Sequence, residues 1–183
     1  GVGALTVCDG AQAAPHLPVR FDSLGVDFYA ASAHKMRGPM GTGILIGRRE
    51  ILEAMPPYQT GGDMIAFVGD ERTTWNVLPH RLEAGTPNVA GAVGLAAACD
   101  YLTALGMEAV SVHERALVEY SYERVSAIHG VRVHGPGAPE RSGVRSFTVG
   151  DIPPPDPPSL PDDRGICLPP GPPFPRPPLC RSG

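Results

Sequence analysis

Short apolar runs, each about the length of a strand, alternate with turns in the first part of the chain. One spans residues 4–8, and the next spans residues 26–31 and carries the aromatic pair Phe28-Tyr29. Such runs are typical of strands that a parallel sheet buries on both faces. A third run, Ile44-Leu45-Ile46, follows a turn rich in glycine and proline. The pattern predicts a β–connection–β unit with a short crossover, in which residues 17–25 form a short helix or turn.

The middle of the chain is predicted to hold one short helix and a long loop. Residues 48–55 have the composition of a helical turn or two, and Pro56-Pro57 stops them. Residues 58–80 contain a glycine pair, a threonine pair and the only tryptophan, Trp75. We expect loops over this segment, and loops of that length inside a compact domain are usually functional.

Two helices are predicted in the following segment. Over residues 89–105 apolar positions recur at helical spacing, and Gly106 ends the pattern. A second amphipathic helix is predicted over about residues 108–128, closed by Gly130 at the C′ position.

The last part of the chain changes in character at Ile152. Before it, residues 131–134 and 144–149 alternate apolar with polar positions, which is typical of strands in a smaller α+β domain. After it come thirteen of the chain's 22 prolines, and each proline breaks a helix at a cost of about 3 kcal/mol. The expected organisation is a large-domain region over 1–88, interdomain helices and small-domain strands over 89–152, and a proline-rich tail without regular structure over 153–183.

Composition and charge exclude several classes of protein. The chain has 183 residues, 42% of them hydrophobic, and a formal net charge of −4, which argues against a nucleic-acid or anionic-membrane partner. No apolar run approaches the length of a membrane span. The four cysteines have neither CxxC spacing nor disulfide-scaffold density, so a reducing cytoplasm is the expected location. The first residues lack the basic start of a signal peptide and an initiator methionine, which predicts the interior of a longer protein.

The second apolar run ends abruptly in Ser32, His34 and Lys35. A lysine at the end of a buried strand packs poorly, so its presence there indicates a site that requires an amine. In open α/β sheets the carboxyl ends of the strands gather at the ligand crevice. We therefore expect Asp9 and Gln12, which follow the first run, on the same rim as the other three residues.

Each of these residues alone has an ordinary structural explanation: a solvated loop lysine, a capping aspartate or a structural histidine. Together they match one chemistry. A lysine amine in a partly desolvated pocket forms an imine with an aldehyde carbon, and a carboxylate such as Asp9 keeps a pyridine nitrogen protonated. Ser32, His34 and the amides of the glycine-rich turn would bind a phosphate. The combination predicts a pyridoxal phosphate site at Lys35, without a metal.

Five sequence blocks resemble one known family. They are Asp9-Gly10-Ala11-Gln12-Ala13, Ser32-x-His34-Lys35, Gly38-Pro39-x-Gly41-x-Gly43, Gly61-Gly62-x-Met64-Ile65 and Arg81-x-Glu83-Ala84-Gly85-Thr86-Pro87-Asn88. In order and spacing they resemble the cysteine desulfurases of the class V aminotransferase group, in particular the Suf-type branch, over residues 1 to about 150. The resemblance implies an α/β fold, a fragment of the fold-type I pyridoxal phosphate large domain followed by a small α+β C-terminal domain.

The resemblance also implies roles for individual residues. Lys35 carries the cofactor. Asp9 pairs with the pyridine nitrogen, and Gln12 contacts the ring hydroxyl. Ser32 and His34 bind the phosphate.

A partner subunit and a reaction are implied as well. Thr86 reaches the phosphate of the neighbouring subunit's cofactor, which implies a homodimer with shared sites; taken alone, Thr86 is also explained as a cap beside Pro87. The implied reaction removes sulfur from L-cysteine, giving L-alanine and an enzyme persulfide. A sulfur-acceptor protein then takes the sulfur for iron–sulfur cluster assembly or another sulfur-transfer pathway.

The sequence departs from the family pattern in two places. The N-terminal half of the family's large domain is absent, including a histidine that stacks on the pyridine ring. Near the C-terminus the family usually carries a substrate-carboxylate arginine, paired histidines and the sulfur-accepting cysteine, and the aligned residues here are Pro169, Pro172, Pro173 and Phe174. Little or no desulfurase turnover is therefore expected from this chain.

Several alternatives stay open. A corrupted gene end accounts for the prolines and for the retained family residues such as Gly165 and Gly171, and leaves Cys167 and Cys180 as bystanders. A genuine polyproline II segment that recruits a partner would instead make the chain a non-catalytic scaffold. Other class V enzymes, namely a selenocysteine lyase, a cysteine sulfinate desulfinase or an aminotransferase, share the cofactor blocks.

Overall fold

The computed structural model describes residues 2–137, 143–144 and 146–150. The predictions for the tail, including those for Cys167, Phe174 and Cys180, lie outside these residues. The chain divides into two compact units, Gly1–Ser111 and Val112–Gly183. The predicted domain boundary at residues 88 and 89 is a different division and stays a prediction.

A three-stranded sheet is the centre of the first unit. Its strands are β1 (Val7–Asp9), β2 (Phe28–Ser32) and β3 (Gly43–Gly47), in that order across the sheet. β1 is parallel to β2, as the β–connection–β pattern predicts. β3 is antiparallel to β2, because the connection between them, residues 33–42, is too short for a parallel crossover. All three apolar runs therefore form strands, and the predicted α/β fold is confirmed.

The connections in this unit are short. A single 3-10 turn, Phe21–Ser23, lies between β1 and β2, as predicted for residues 17–25, and α1 (Arg49–Ala54) is the predicted helical turn after β3. A hairpin of β4 (Ile65–Val68) and β5 (Thr73–Trp75) lies within the segment that was predicted to be rich in loops. The sequence pattern does not predict this hairpin, because its strands are short, mostly exposed and shifted in register.

The long helix α2 (Val89–Leu105) provides much of the core of this unit. Leu95, Ala98 and Leu102 are buried on one face of it, at the spacing expected for an amphipathic helix. The helix ends at Gly106, whose φ of +82° is the left-handed conformation that glycine adopts readily. The central strand β2 supplies the remaining buried side chains near the sheet, Phe28, Tyr29 and Ala31.

The helix α3 (Met107–Ser126) leads into the second unit. There β6 (Val131–His134) and β7 (Ser146–Val149) form the predicted antiparallel pair. The prediction that Gly130 caps α3 is wrong, because the helix ends at Ser126 and Gly130 lies in the turn that leads to β6. Gly130 still has a φ of +80° and its carbonyl accepts from the amide of Gly150 at 2.7 Å, so it closes the strand pair instead.

Two features of the described residues bear on the class of function. No single helix there is both long and apolar enough to cross a membrane, and α2 and α3 satisfy those criteria only when they are taken together. No group of three histidine, cysteine or carboxylate side chains lies close enough to hold a metal ion within the same residues.

Candidate functional site

The carboxyl ends of β1 and β2 lie side by side. Asp9, the last residue of β1, pairs with Ala30 of β2, and the Gly10 amide donates to the Ala30 carbonyl at 2.8 Å. Ser32 ends β2 two residues further along. The predicted convergence of the two strand ends on one rim is therefore present in the backbone.

The turn after β1 is held tightly against β2. Asp9 is exposed and its Oδ1 accepts from the Ala11 amide at 3.0 Å, an aspartate turn that fixes the carboxylate. The Tyr29 ring lies over Gly10, and any Cβ at residue 10 would overlap that ring. The Tyr29 hydroxyl donates to the Gly10 carbonyl at 3.3 Å. Burial, and then the nearby charges of Cys8 and Asp9, raise the pKa of the Tyr29 hydroxyl, so it stays a neutral donor.

Gln12 lies in the turn that follows. The amides of Ala13 and Ala14 both donate to the Gly10 carbonyl, at 2.9 and 2.8 Å, which closes the chain into a compact turn around Gln12. The Gln12 residue itself is exposed. Gln12 is thus three residues beyond Asp9, in the turn that begins at the end of β1.

Ser32 carries a polar group that the protein leaves unsatisfied. Its Oγ is buried and has no hydrogen-bond partner among the described residues. Leaving a buried hydroxyl unpaired costs about 1–3 kcal/mol, so such groups usually have a functional explanation. The hydroxyl lies at the strand end, immediately before the turn that carries His34 and Lys35.

His34 and Lys35 belong to a 3-10 turn, Ala33–Met36. His34 is exposed and Lys35 is half-buried. The turn closes through Arg37, whose φ is +68°, and through the Gly38 amide, which donates to the Ala33 carbonyl at 2.8 Å. The amine of Lys35 is therefore presented from a short, closed turn rather than from a loose loop.

Thr86 is exposed in a separate loop of the same unit. The preceding Gly85 has a φ of +87° and its amide donates to the Gly62 carbonyl at 3.0 Å. A Cβ at Gly61 would lie 3.0 Å from the Gly85 amide nitrogen, so the two glycine-containing blocks pack backbone against backbone. Met64 is fully buried beside them, and its Sδ accepts from the Gly61 amide at 3.1 Å.

Sequence reasoning assigned no role to Arg81, which anchors this loop. Its Nη1 and Nη2 donate to the carbonyls of Glu53 and Met55, each at 3.0 Å. These are carbonyls at the end of α1, where the helix cannot satisfy them itself. The only sequence signal was the presence of Arg81 in a family-like block, since its partners lie more than twenty residues away in the chain.

Asn88 was also missed. Its Oδ1 accepts from the Gly91 amide at 3.0 Å, which caps α2, and its Nδ2 donates to Thr42 Oγ1 at 3.1 Å. The cap was visible in the sequence, because asparagine is a preferred residue before a helix. The bond to Thr42 was not, since it joins α2 to the glycine-rich turn that follows Lys35.

The assembled groups suit a ligand that is both an aldehyde and an anion. Lys35, which carries the primary amine, is half-buried, and the Ser32 hydroxyl, which has no partner among the described residues, is a donor that a phosphate oxygen would satisfy. The carboxylate of Asp9 lies on the neighbouring strand end. These features fit pyridoxal phosphate, with the buried Ser32 Oγ as the structural observation that favours a bound phosphate.

Comparison with known proteins gives a consistent result. The aminotransferase class-V family model matches residues 1–177. A probable cysteine desulfurase of Streptomyces coelicolor is 48% identical over 168 residues, and one of Staphylococcus aureus is 45% identical over 166 residues. Each alignment covers 91% of this chain and 40% of the relative. The chain thus spans about 40% of the length of the curated relatives it matches.

Solved structures give the same picture. The cysteine desulfurase CsdA of Escherichia coli is 36% identical with a TM-score of 0.83, over 91% of this chain and 41% of that one. A variant of C-DES with glycine covalently linked to its PLP cofactor is 30% identical with a TM-score of 0.68, over 79% of this chain and 38% of that one. The likeness is therefore greater to the desulfurase.

Proposed function

Since the chain belongs to the class V aminotransferase family, we propose that it is the lysine-bearing part of a pyridoxal phosphate-dependent cysteine desulfurase. The family predicted from the five sequence blocks is confirmed, and the desulfurase reaction is our proposal for the whole protein. One observation carries the proposal: Lys35, the only lysine in the 183 residues, lies three residues after Ser32, whose buried hydroxyl has no partner among the described residues.

In the proposed site Lys35 and Asp9 would serve different groups of the cofactor. Lys35 Nζ would hold the cofactor through its aldehyde carbon and, once substrate has taken that place, move the proton from the substrate α-carbon. Asp9 would keep the pyridine nitrogen protonated from its fixed position at the end of β1. The cofactor, when bound, supplies an electron sink for the charge that develops at the α-carbon.

The phosphate would be held by groups from three places. The Ser32 hydroxyl and the His34 imidazole would donate to it from the end of β2 and the following turn. Thr86 would reach the phosphate of the partner subunit's cofactor, so the proposed enzyme is a homodimer with shared sites. Gln12 would contact the ring hydroxyl from the turn after β1.

The sulfur step requires a cysteine thiolate, which takes the sulfur of L-cysteine as a persulfide while the carbon skeleton leaves as L-alanine. The position aligned with that cysteine is Phe174, so we propose that this polypeptide as written has little or no turnover. In the intact protein the sulfur would pass to an acceptor protein for iron–sulfur cluster assembly in the cytoplasm.

A second candidate is another class V reaction at the same site. The likeness to C-DES, described as a cystine C–S lyase in its complex with cysteine persulfide, favours carbon–sulfur chemistry generally. Selenocysteine lyase, cysteine sulfinate desulfinase and aminotransferase reactions also use the same cofactor blocks. A restored full-length protein assayed on cysteine, cystine, selenocysteine and an amino acid–keto acid pair would separate these possibilities.

The cofactor proposal is tested on the purified 183-residue chain. Pyridoxal phosphate is added, borohydride fixes any covalently held cofactor, and peptide mass spectrometry locates it. We expect the cofactor on Lys35 and no cofactor at residue 35 of the Lys35→Arg variant. The guanidinium keeps the positive charge but does not react with the cofactor aldehyde. The α-amino group is the internal control for non-specific trapping. Equal labelling of Lys35 and the α-amino group would contradict the proposal.

A further inference from the structure

Asn88 joins two parts of the first unit that are far apart in sequence. Its Oδ1 caps α2 through the Gly91 amide, and its Nδ2 donates to Thr42 Oγ1 at 3.1 Å. One side chain therefore holds both the start of a helix and the turn between β2 and β3. A cap alone needs only the first of these bonds.

Thr42 carries the connection onward to the lysine turn. Its backbone carbonyl accepts from the amide of Ala33 at 2.9 Å, and Ala33 is the first residue of the 3-10 turn that contains Lys35. The Ala33 carbonyl in turn accepts from Gly38 at 2.8 Å. Ala33 thus makes both of these backbone bonds beside Lys35, and one of them joins it to Thr42, the residue that Asn88 contacts.

The two parts that Asn88 joins also pack closely against each other. A Cβ at Gly91 would overlap Thr42 Oγ1 and crowd the Asn88 amide. A Cβ at Gly94, one turn further along α2, would lie 3.0 Å from Cδ and Cγ of Pro39. The amino end of α2 therefore lies directly against the turn that follows Lys35.

From these contacts we infer that Asn88 is a positioning residue for Lys35, holding the lysine turn against the amino end of α2 through Thr42. The inference rests on the proposed function only in naming Lys35 as the reacting amine. Without the Asn88–Thr42 bond the turn loses its side-chain attachment to α2, while the sheet and the helix remain.

Two substitutions separate positioning from simple helix capping. Asn88→Ser keeps a capping oxygen for the Gly91 amide but is too short to reach Thr42. Thr42→Val removes the acceptor and leaves Asn88 free to cap the helix. Asn88→Asp is the conservative variant, because its carboxylate accepts from the Gly91 amide and also from the Thr42 hydroxyl.

The measurement is the rate at which pyridoxal phosphate is fixed to Lys35 by borohydride in the purified chain. Asn88→Ser and Thr42→Val should each slow this rate roughly three- to tenfold, the range expected for one neutral hydrogen bond. The double variant should be no slower than either single one, since both remove the same bond. Asn88→Asp should recover most of the rate, and the urea midpoint of unfolding should stay close to that of the unsubstituted chain in Thr42→Val.

The matched control is Asn76→Ser, which removes a similar bond, from Asn76 Nδ2 to the Asp63 carbonyl at 3.2 Å, in a different loop. It should fix cofactor at the unsubstituted rate. An unsubstituted rate in Thr42→Val, or a double variant whose loss is the product of the two single losses, would overturn the inference. If Asn88→Ser fails to fold, Thr42→Val decides.

A failure of the proposed function is distinguishable from a failure of this inference. If even the unsubstituted chain fixes no cofactor at Lys35, the function fails, and amide hydrogen exchange over residues 33–43 without cofactor then tests the positioning role. Thr42→Val should speed exchange at the Ala33 amide several-fold while exchange within β1 and β2 is unchanged. Unchanged exchange at Ala33 would overturn the inference on its own.

Discussion

Two polar side chains at opposite ends of β2 differ in whether they are hydrogen-bonded. At the amino end of β2, the Asp27 carboxylate accepts from the Thr6 amide and hydroxyl, at 2.8 and 3.0 Å, and lies 3.5 Å from Arg48 Nε. At the carboxyl end, the Ser32 hydroxyl is buried and has no hydrogen-bond partner in the part of the chain that the structure describes. The first arrangement joins β1, β2 and the residue after β3 by satisfied bonds. The second keeps a donor free at the place where a ligand is proposed to bind.

The two side chains therefore have different roles: Asp27 stabilises the fold, and Ser32 is available to a ligand. The satisfied end needs nothing from outside the chain. The buried Ser32 hydroxyl costs free energy of folding, which a bound hydrogen-bond acceptor would restore. Such costs are typical of functional sites. Substitutions of Asp27 and Ser32 should therefore separate stability from cofactor binding.

The largest effect is expected from Gly10→Ala, at the carboxyl end. The added Cβ overlaps the Tyr29 ring, so either the ring or the turn after β1 must move, at a cost of roughly 2–3 kcal/mol in the free energy of unfolding. Gly62→Ala is the matched control, because a Cβ there would meet open space. Urea unfolding of both variants measures the difference, and equal midpoints would show that the turn is not rigid.

Ser32→Ala should have a smaller effect: it should preserve or raise the stability of the fold and weaken cofactor binding. Removing an unpaired hydroxyl should leave the free energy of unfolding unchanged or raise it by up to about 1 kcal/mol. The same change should weaken pyridoxal phosphate binding by roughly tenfold, because one charge-assisted bond to the phosphate is lost. Ser23→Ala is the contrast, since that hydroxyl already donates to the Arg20 carbonyl at 2.8 Å. A Ser32→Ala chain that is less stable and binds cofactor normally would reverse the comparison.

The smallest effect is expected at the amino end, because Asp27 and Arg48 are partly open to solvent. The hydrogen bond from the Thr6 amide, then that from its hydroxyl, lowers the pKa of Asp27 below its usual 3.8 despite an opposing effect of burial. A lowered folded-state pKa gives stability that is present above pH 3.8 and is lost as the pH falls through the folded-state value. Asp27→Asn should flatten this part of the stability profile and leave cofactor binding unchanged.

The measurement for Asp27 is the free energy of unfolding from neutral to acidic pH, compared with the unsubstituted chain. Asp70→Asn, an exposed aspartate in the turn between β4 and β5, is the control. A profile for Asp27→Asn that falls as steeply in acid as that of the unsubstituted chain would show that this carboxylate does not stabilise the fold.

Local patterns predicted the strands and helices whose signals are strong. The apolar runs gave β1, β2 and β3, and helical spacing gave α2 and α3. The antiparallel direction of β3 and the β4–β5 hairpin were not predicted, because pairing depends on connection geometry and on neighbours rather than on the run itself. Gly130 was assigned to the wrong element for a similar reason. The residue type indicates a left-handed conformation but not which helix or strand lies beside it.

The site divides in the same way between local and tertiary information. Its chemical groups were predicted because Asp9, Ser32 and Lys35 occur in short blocks at strand ends. The roles of Arg81 and Asn88 depend on partners in distant parts of the chain, Glu53, Met55 and Thr42. Such contacts leave no local signature, so only the folded structure identifies them.

The contact between Thr42 and Gly91 limits how this protein can vary over evolution. Any side chain at residue 91 would displace the Thr42 hydroxyl and crowd the Asn88 amide. Related sequences should therefore change these positions together: a larger residue at 91 is compatible only with a smaller one at 42 and with a different helix cap at 88. An alignment of many relatives should show the three positions covarying, although residue 42 is 46 residues away from residue 88 in the chain.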